Sequence, residues 1–446
     1  MDNKSSLVKG NVQRQMLFFA VPMIITQLCQ QVYQLTDTII VGRYLGDSSL
    51  AAVGVSAPFV FLFIALAKGV SMGSSIIVSQ NWGSGNMKNV KVAANSLYLF
   101  IILFSLFVTA VGLIFSENIM NIINLPDEIF ITASEYFNIY LVGLIFLFLS
   151  NAVMGLLIGI GNSMTPMIFV ALSVAFNIIL DILFVVVFGL GVCGVAWATV
   201  ITQGLVTIAM FIYTNRKLPI LGISIRPIFD WNIFNRSMRL GLPTGFQQVF
   251  VAVGMVAIMG VINNFGVDVI AGYVAASRVE GFVMVVPLSL ASALTAFVAQ
   301  NYGAGDIKRV EQGIFETLKI SFVSCFVVLM LLSVFGTSFM RLFTNNPNVI
   351  NIGNQYLFII GLTFTLFSVM FVYMGALRGV GNTIFPMVTT LFTLCVLKIP
   401  VAYFLSSTPL HELGIWLASP ISWLVGVVVS IAYWYFVQLK KIKSIN

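Results

Sequence analysis

Apolar stretches, each long enough to cross a membrane as a helix, recur twelve times along this 446-residue chain. Because the interior of a bilayer offers no partner for free backbone groups, such a chain must span it with helices or a closed barrel, and stretches of about 20 residues favour helices. Charged residues make up only 8% of the sequence, where a soluble domain has about 25%, which excludes a soluble enzyme or binding domain. We therefore predict an all-α integral membrane protein with twelve transmembrane helices. The predicted spans are 16–41, 55–80, 93–115, 133–158, 165–188, 192–213, 238–262, 272–298, 316–338, 352–375, 384–405 and 413–437.

The distribution of Lys and Arg predicts how these helices are oriented. With the amino terminus in the cytoplasm, 17 of the 22 basic residues lie in inner loops or at inner helix ends, whereas Arg43 and Arg341 lie in outer loops. Lys68, Arg278 and Lys398 lie within spans. Because basic residues accumulate on the cytoplasmic side, we predict a multi-pass protein of the plasma or inner membrane with both termini in the cytoplasm. The same asymmetry accounts for the net charge of +7, so the expected partner is the lipid bilayer and not a nucleic acid.

The two halves of the chain repeat each other at a fixed offset. Gln80–Asn86 (QNWGSGN) matches Gln300–Asp306 (QNYGAGD) 220 residues later, and Met154–Met167 matches Met374–Met387 at the same offset. One offset that holds across so much of the chain indicates an internal duplication.

Each half contains six predicted spans, so both halves enter the membrane in the same direction. We predict two six-helix lobes related by a pseudo-two-fold axis along the membrane normal, an arrangement typical of transporters. The predicted N-terminal lobe covers residues 1–214 and the C-terminal lobe covers residues 237–446. Between them, the polar stretch 215–236 is predicted to be a cytoplasmic linker.

The first span carries a polar stripe in an otherwise apolar helix. Gln30, Gln34 and Asp37 are spaced so that they line one face. An ionisable group in a membrane helix is costly unless it faces a cavity, a partner or an ion, so Asp37 is a candidate functional residue. The alternative is that Asp37 lies at the helix end among lipid headgroups. Pro22, earlier in the same span, removes a backbone donor and predicts either a gating bend or a static kink.

Three polar side chains from other first-half spans, Asp181, Thr199 and Tyr136, are predicted to lie at a depth similar to that of Asp37. Asn177 and Asp181 are four residues apart in span five and share a face, while Thr199 lies in span six and Tyr136 in span four. Two carboxylates with amide and hydroxyl oxygens suit Na⁺, and they equally suit one shared proton. The alternative is a hydrogen-bond network that only joins helices.

The second half does not repeat these carboxylates. Asp37 aligns with about Ala257, and Asp181 aligns with Val401. The second half therefore keeps the signals of the fold but drops both acids, so we expect the ion or proton chemistry in the first half.

At these residues the sequence resembles the multidrug and toxic compound extrusion (MATE) family, and its DinF-like branch most of all. The matching features are Pro22, the Y-x-x-x-D of Tyr33–Asp37, the repeated Q-N-x-G-x-G and G-x-G-N-x-x-x-P loops, and Asn177–Asp181. The resemblance covers nearly the whole chain. It implies a V-shaped twelve-helix exporter that expels small organic, often aromatic and cationic, compounds in exchange for inward H⁺ or Na⁺.

The resemblance also implies which residues form the cation or proton site: Asp37, Asn177, Asp181 and Thr199. Residues matching Tyr136 and Asn151 are associated with the same polar network, and we add Tyr33 and Gln34 from the stripe of span one. NorM-type members are associated with acidic residues in spans seven and ten, and this sequence has none there. That departure favours the first-half site.

The sequence also allows other functions and other site residues. Glu280, in span eight, is a candidate substrate contact in the second lobe. Lys68, Arg278 and Lys398 keep open a lipid-linked saccharide flippase, because a pyrophosphate would need inward basic groups. An intramembrane enzyme lacks support, since the spans contain neither H-E-x-x-H nor a Ser/His pair. The four Cys show no ligand spacing, which argues against a zinc site or a disulfide. We expect a monomer with no cofactor beyond the coupling ion.

Overall fold

The fold is described from a computed structural model, which describes residues 7–122, 127–224 and 228–445. Lys4 and Arg226, two of the 17 basic residues predicted to lie on the inner side, are outside these ranges, as is Pro227 of the predicted linker.

Twelve helices in the described ranges are long and apolar enough to cross a membrane, which confirms the predicted all-α membrane fold. They are α1 (Val12–Leu45), α2 (Ser48–Gly83), α3 (Met87–Asn121), α4 (Ile129–Gly159), α5 (Met164–Val187), α6 (Gly191–Lys217), α7 (Trp231–Phe265), α8 (Val267–Gly303), α9 (Ile307–Arg341), α10 (Pro347–Gly379), α11 (Ile384–Ser406) and α12 (Glu412–Ser444). Most of them extend past the apolar stretches because their polar ends remain helical.

The repeated loop motifs act as turns that end one helix and start the next. Gly85 and Gly305 both have φ of +77°, a conformation that favours glycine, and the next helix begins two residues after each of them. Asp306 accepts a hydrogen bond from the backbone N–H of Arg309 (2.9 Å), and Asn86 accepts one from Asn89 (3.1 Å). These are N-terminal caps, so the duplication keeps both the turn glycine and the cap.

The Gln of each Q-N-x-G-x-G motif holds a segment that leads into a helix. Gln300 Oε1 accepts a hydrogen bond from the backbone N–H of Leu7 (3.0 Å), just before α1. Gln80 Oε1 accepts one from the Arg236 guanidinium (2.8 Å), near the start of α7. Each of the two aligned glutamines therefore accepts a hydrogen bond from a residue near the beginning of a helix, Gln300 at α1 and Gln80 at α7.

The contacts divide the chain into two compact units. One unit contains Met1–Ile24 with Phe246–Asn446, and the other contains Ile25–Gly245. The divisions fall inside α1 and α7, so each of these helices gives its first part to one unit and its second part to the other. The lobe and linker boundaries drawn from the sequence stay a prediction.

Candidate functional site

The predicted carboxylates meet in the unit formed by residues 25–245. Asn177 lies between them, and with its amide nitrogen facing both acids it donates hydrogen bonds to Asp37 Oδ1 and Asp181 Oδ2, each at 3.0 Å. This orientation follows from the partners, because the opposite one would place the amide oxygen against two acceptors. The carboxyl groups of Asp37 and Asp181 are also close enough to interact electrostatically. We call these three residues the carboxylate cluster.

Hydroxyl groups surround the carboxylate cluster. Tyr33, one turn before Asp37, donates a hydrogen bond to Thr199 Oγ1 on α6 (2.8 Å) and also lies within reach of Asp37. Tyr136 and Tyr140 on α4 are buried, stack at 6.4 Å between ring centroids, and lie close enough to Asp37 to interact electrostatically. Sequence reasoning missed Tyr140, although its spacing of four residues from Tyr136 was a usable signal.

When both of its acids are ionised, the carboxylate cluster carries negative charge that no ion pair of the described residues balances. Asn177 and Asp181 are 0% exposed, and Asp37 is half-buried. The described residues form two ion pairs, one within α9 and one between α9 and α12, so neither acid of the cluster is paired with a basic side chain. Asp181 Oδ1 also lacks a hydrogen-bond partner within the described structure. A buried acceptor without a partner is costly, so the arrangement suits a proton or a cation that comes and goes.

The chemistry of the donors fits either coupling ion. A shared proton would sit between Asp37 and Asp181, with the Asn177 amide holding both carboxyl groups in place. For Na⁺, the amide would have to turn so that its oxygen joins the carboxylates and a hydroxyl as a ligand. The orientation of Asn177 therefore separates the two cases.

Irregular helix geometry accompanies both acids. A π-helical segment, Val41–Leu45, begins four residues after Asp37, and another, Ile182–Val187, begins directly after Asp181. π-Helical turns are rare and are found often at functional sites, because they re-aim side chains and leave backbone groups free. The two carboxylates thus lie next to places where α1 and α5 can change conformation.

The remaining predicted first-half residues lie apart from these contacts. Gln34 is exposed, and its backbone carbonyl accepts a hydrogen bond from Thr38 (2.8 Å). Asn151 donates its amide to the carbonyl of Leu147 in its own helix (2.8 Å), and no described contact joins it to the carboxylates. Pro22 is buried, and α1 stays helical through it.

Glu280 lies in the other unit, within residues 246–446. Its carboxylate accepts a hydrogen bond from the Tyr356 hydroxyl (2.6 Å) and lies within electrostatic range of Lys398. The second half thus has a polar site of its own, built on α8, α10 and α11, whereas Arg278 on the same helix as Glu280 is exposed.

A sequence profile of the MatE family matches this chain twice, over residues 22–183 and 243–404. The chain belongs to the MatE family. The two matches begin 221 residues apart, in agreement with the repeat found in the sequence. They cover α1 to α5 and α7 to α11, and the first includes Asp37, Asn177 and Asp181.

Several MatE relatives are similar over nearly their whole length. The probable multidrug resistance protein YoeA of Bacillus subtilis is 29% identical over 442 residues, which cover 97% of this chain and 96% of the relative. The probable multidrug resistance protein YpnP of the same organism is 29% identical, covering 98% and 97%. The probable multidrug resistance protein NorM of Thermotoga maritima is 26% identical, covering 91% and 88%. The chain is therefore a membrane transporter and not an enzyme, as the sequence predicted.

Solved MATE structures share the fold. The crystal structure of MATE in the bent conformation superposes with a TM-score of 0.91 at 24% identity, covering 98% of both chains. An outward-facing multidrug resistance MATE transporter of the MOP superfamily gives 0.92 at 24% identity, again covering 98% of both. The predicted fold class is confirmed, and the DinF-like branch within the family stays a prediction.

Proposed function

We propose that this MatE transporter is an antiporter of the plasma or inner membrane that exports small organic, often aromatic and cationic, compounds while H⁺ or Na⁺ enters. We expect it to work as a monomer with both termini in the cytoplasm. The observation that supports coupling is the carboxylate cluster, whose two acids lie inside membrane helices and make no ion pair with the basic side chains of the described ranges. Two neighbouring carboxylates that are shielded from water favour the uptake of a proton or another cation.

The depth of the cluster favours loading from outside. With the amino terminus inside, Leu45 and Val187 mark the outer ends of α1 and α5. At a rise of 1.5 Å per residue, Asp37 lies about 12 Å below its outer end and Asp181 about 9 Å below its own. An ion driven inward by its gradient therefore meets the cluster early in its path.

Filling the cluster changes what α1 packs against. A proton or Na⁺ removes the repulsion between Asp37 and Asp181, so the two helices can approach more closely. Asp37 lies between Pro22 and the π-helical segment Val41–Leu45, and these two irregular places allow the intervening part of α1 to move as a piece. We propose Pro22 as the gating bend. Substrate is released outward as α1 repacks.

Such coupling must be reciprocal. An ion shifts the equilibrium between two states only through a difference in its affinity for them. If the ion weakens substrate binding, substrate weakens ion binding by the same factor.

The test is equilibrium binding of ethidium, a flat aromatic cation, to the purified full-length protein across pH, with and without Na⁺. Affinity should fall as pH is lowered or as Na⁺ is added, and the cation that produces the effect is the coupling ion. Asp37→Asn should flatten the response, whereas Glu117→Gln, the loss of an exposed carboxylate on α3, should leave it unchanged. A wild-type affinity that ignores both cations would overturn the coupling mechanism.

The lipid-linked saccharide flippase has weaker support. Lys398, one of the three basic groups that favoured it, lies beside Glu280, which leaves Lys68 and Arg278 for a pyrophosphate. Transport of ethidium into everted vesicles under an ion gradient supports the antiporter. Movement of a lipid-linked saccharide, with no ethidium transport under either gradient, would support the flippase.

A further inference from the structure

A second polar cluster lies in the unit that holds residues 246–446, and the function of the carboxylate cluster makes no use of it. Five side chains from four helices form it, and we call it the Glu280 cluster. Its members are Tyr273 and Glu280 on α8, Tyr356 on α10, Lys398 on α11 and Trp416 on α12.

Three aromatic rings pack against one another beside the carboxylate. Tyr273 and Trp416 are stacked, with centroids 5.8 Å apart and an interplanar angle of 6°. Tyr356 meets Trp416 edge to face at 5.0 Å and meets Tyr273 at 5.4 Å. The Tyr356 hydroxyl then fixes Glu280 Oε2 at 2.6 Å. The carboxylate is thus held rigidly next to aromatic surfaces.

Burial differs within the Glu280 cluster in a way that suits a binding site. Tyr356 and Trp416 are 3% and 1% exposed, so they form a packed floor. Tyr273, Glu280 and Lys398 are only half-buried, which leaves part of each side chain accessible to a ligand. The Trp416 Nε1 donor has no hydrogen-bond partner within the described residues, although it is buried.

Glu280 and Lys398 have opposite charges but do not form a direct ion pair. The ammonium group lies within electrostatic range of the carboxylate, yet the two groups do not form one of the ion pairs of the described residues. A π-helical segment, Phe392–Leu397, ends immediately before Lys398. Lys398 therefore follows directly on an irregular stretch of helix, a feature that is frequent at functional sites.

The duplicated fold does not require these charges. At the offset of 220, Glu280 aligns with Val60, Lys398 with Ile178 and Trp416 with Ala196. Tyr356 alone has a like counterpart, Tyr136. A purely architectural ion pair would not be expected in only one of two halves that share a fold.

We propose that the Glu280 cluster binds a flat aromatic organic cation, with Lys398 as the internal cation that such a ligand displaces from Glu280. A carboxylate beside aromatic faces recognises an organic cation through charge and cation–π attraction together. Lys398 supplies a compensating positive charge near Glu280 when the ligand is absent. The proposal rests on the proposed export function, for which it names a substrate-binding site distinct from the ion site.

The test is ethidium binding to purified full-length variants at one fixed pH, with the melting temperature measured in parallel. Glu280→Gln should weaken binding about 30-fold, because it removes the charge that attracts the cation while keeping an oxygen for Tyr356. Lys398→Met should strengthen binding severalfold, because it removes the competitor. The double variant should bind as weakly as Glu280→Gln. Matched controls are the exposed Glu117→Gln and Lys88→Met, which should change neither quantity.

A structural ion pair gives the opposite pattern. Each single substitution would then lower both the melting temperature and the affinity, and the double variant would restore both. That result, or a Lys398→Met variant that binds no better than wild type, would overturn the proposal.

A second experiment uses the wild-type protein, so its result does not depend on whether the variants fold. Ethidium should protect Glu280 from modification by a hydrophobic carbodiimide, as read by mass spectrometry, and should leave Glu117 unprotected. Equal modification of Glu280 with and without ethidium would also overturn the proposal.

Failure of the export function is distinguishable from failure of this site. If the ethidium affinity of the wild-type protein does not depend on either ion, the proposed coupling mechanism fails. The binding and protection experiments at Glu280 would still show whether the Glu280 cluster binds ethidium.

Discussion

Each unit has a group of polar side chains near one of two aligned tyrosines, but the charges in the two groups differ. Around Tyr136 the first half gathers Asp37 and Asp181, two acids without an ion-paired base in the described residues. Around Tyr356 the second half gathers one acid, Glu280, and one base, Lys398. A site with excess negative charge must take up a proton or an ion. A site whose charges already balance can take a cation only by displacing its own.

This difference assigns separate tasks to two halves that arose by duplication. The first-half acids come from α1 and α5, and each lies next to a π-helical segment. The second-half groups come from α8 and α11, where the aligned first-half residues are Val60 and Ile178. Duplication preserved the turns and caps of the fold, and the charged groups were placed independently in each half.

The largest expected effect comes from removing the first-half acids. Asp37→Asn and Asp181→Asn should each abolish ion-driven efflux, because an amide cannot exchange a proton or balance a cation. The measurement is ethidium efflux from cells at matched expression, together with the melting temperature of each purified variant.

The comparison supplies the controls for this prediction. Ala257→Ser and Val401→Thr change the aligned second-half positions conservatively and should leave efflux near normal. Normal efflux from both Asp variants would show that the carboxylates are structural and would end the assignment of separate tasks.

An intermediate effect is expected at Asn177. Asn177→Ala removes both hydrogen bonds between the amide and the carboxylates, so the concentration of the coupling ion that half-displaces ethidium should shift by about tenfold. The aligned Leu397→Ala should leave that concentration unchanged. An unchanged value for Asn177→Ala would show that Asn177 does not organise the ion site.

The proximity of the residues of the carboxylate cluster could be predicted from the sequence, for identifiable reasons, whereas their role in ion coupling stays a prediction. Asn177 and Asp181 share a helix face by spacing, and depth along the helices placed Asp37 and Thr199 at a similar level. Both arguments use geometry internal to one helix and the fixed thickness of a bilayer. The structure brings Asp37, Asn177 and Asp181 into direct contact, and the Tyr33 hydroxyl reaches Thr199.

The Glu280 cluster was only partly predictable. Glu280 itself stood out as an acid in an apolar span, but its pairing with Tyr356 and Lys398 depends on how α8, α10 and α11 pack. Hydrophobic periodicity carries no information on which helices become neighbours. For the same reason, the sequence does not reveal that the boundary between the two units lies inside α1 and α7, because the apolar run of each helix continues across that boundary.

The smallest expected effects come from two single hydroxyl groups, and they test the separation of tasks most directly. Tyr33→Phe removes the 2.8 Å hydrogen bond to Thr199, and Tyr356→Phe removes the 2.6 Å hydrogen bond to Glu280. One such bond contributes about 1 kcal/mol, so each change should alter its own equilibrium about fivefold. Tyr33→Phe should shift the ion dependence of ethidium binding and leave the ion-free affinity unchanged. Tyr356→Phe should lower the ion-free affinity and leave the ion dependence unchanged. If both variants shifted both quantities equally, the two sites would act as one coupled unit, and the contrast between a site for ions and a site for substrate would fail.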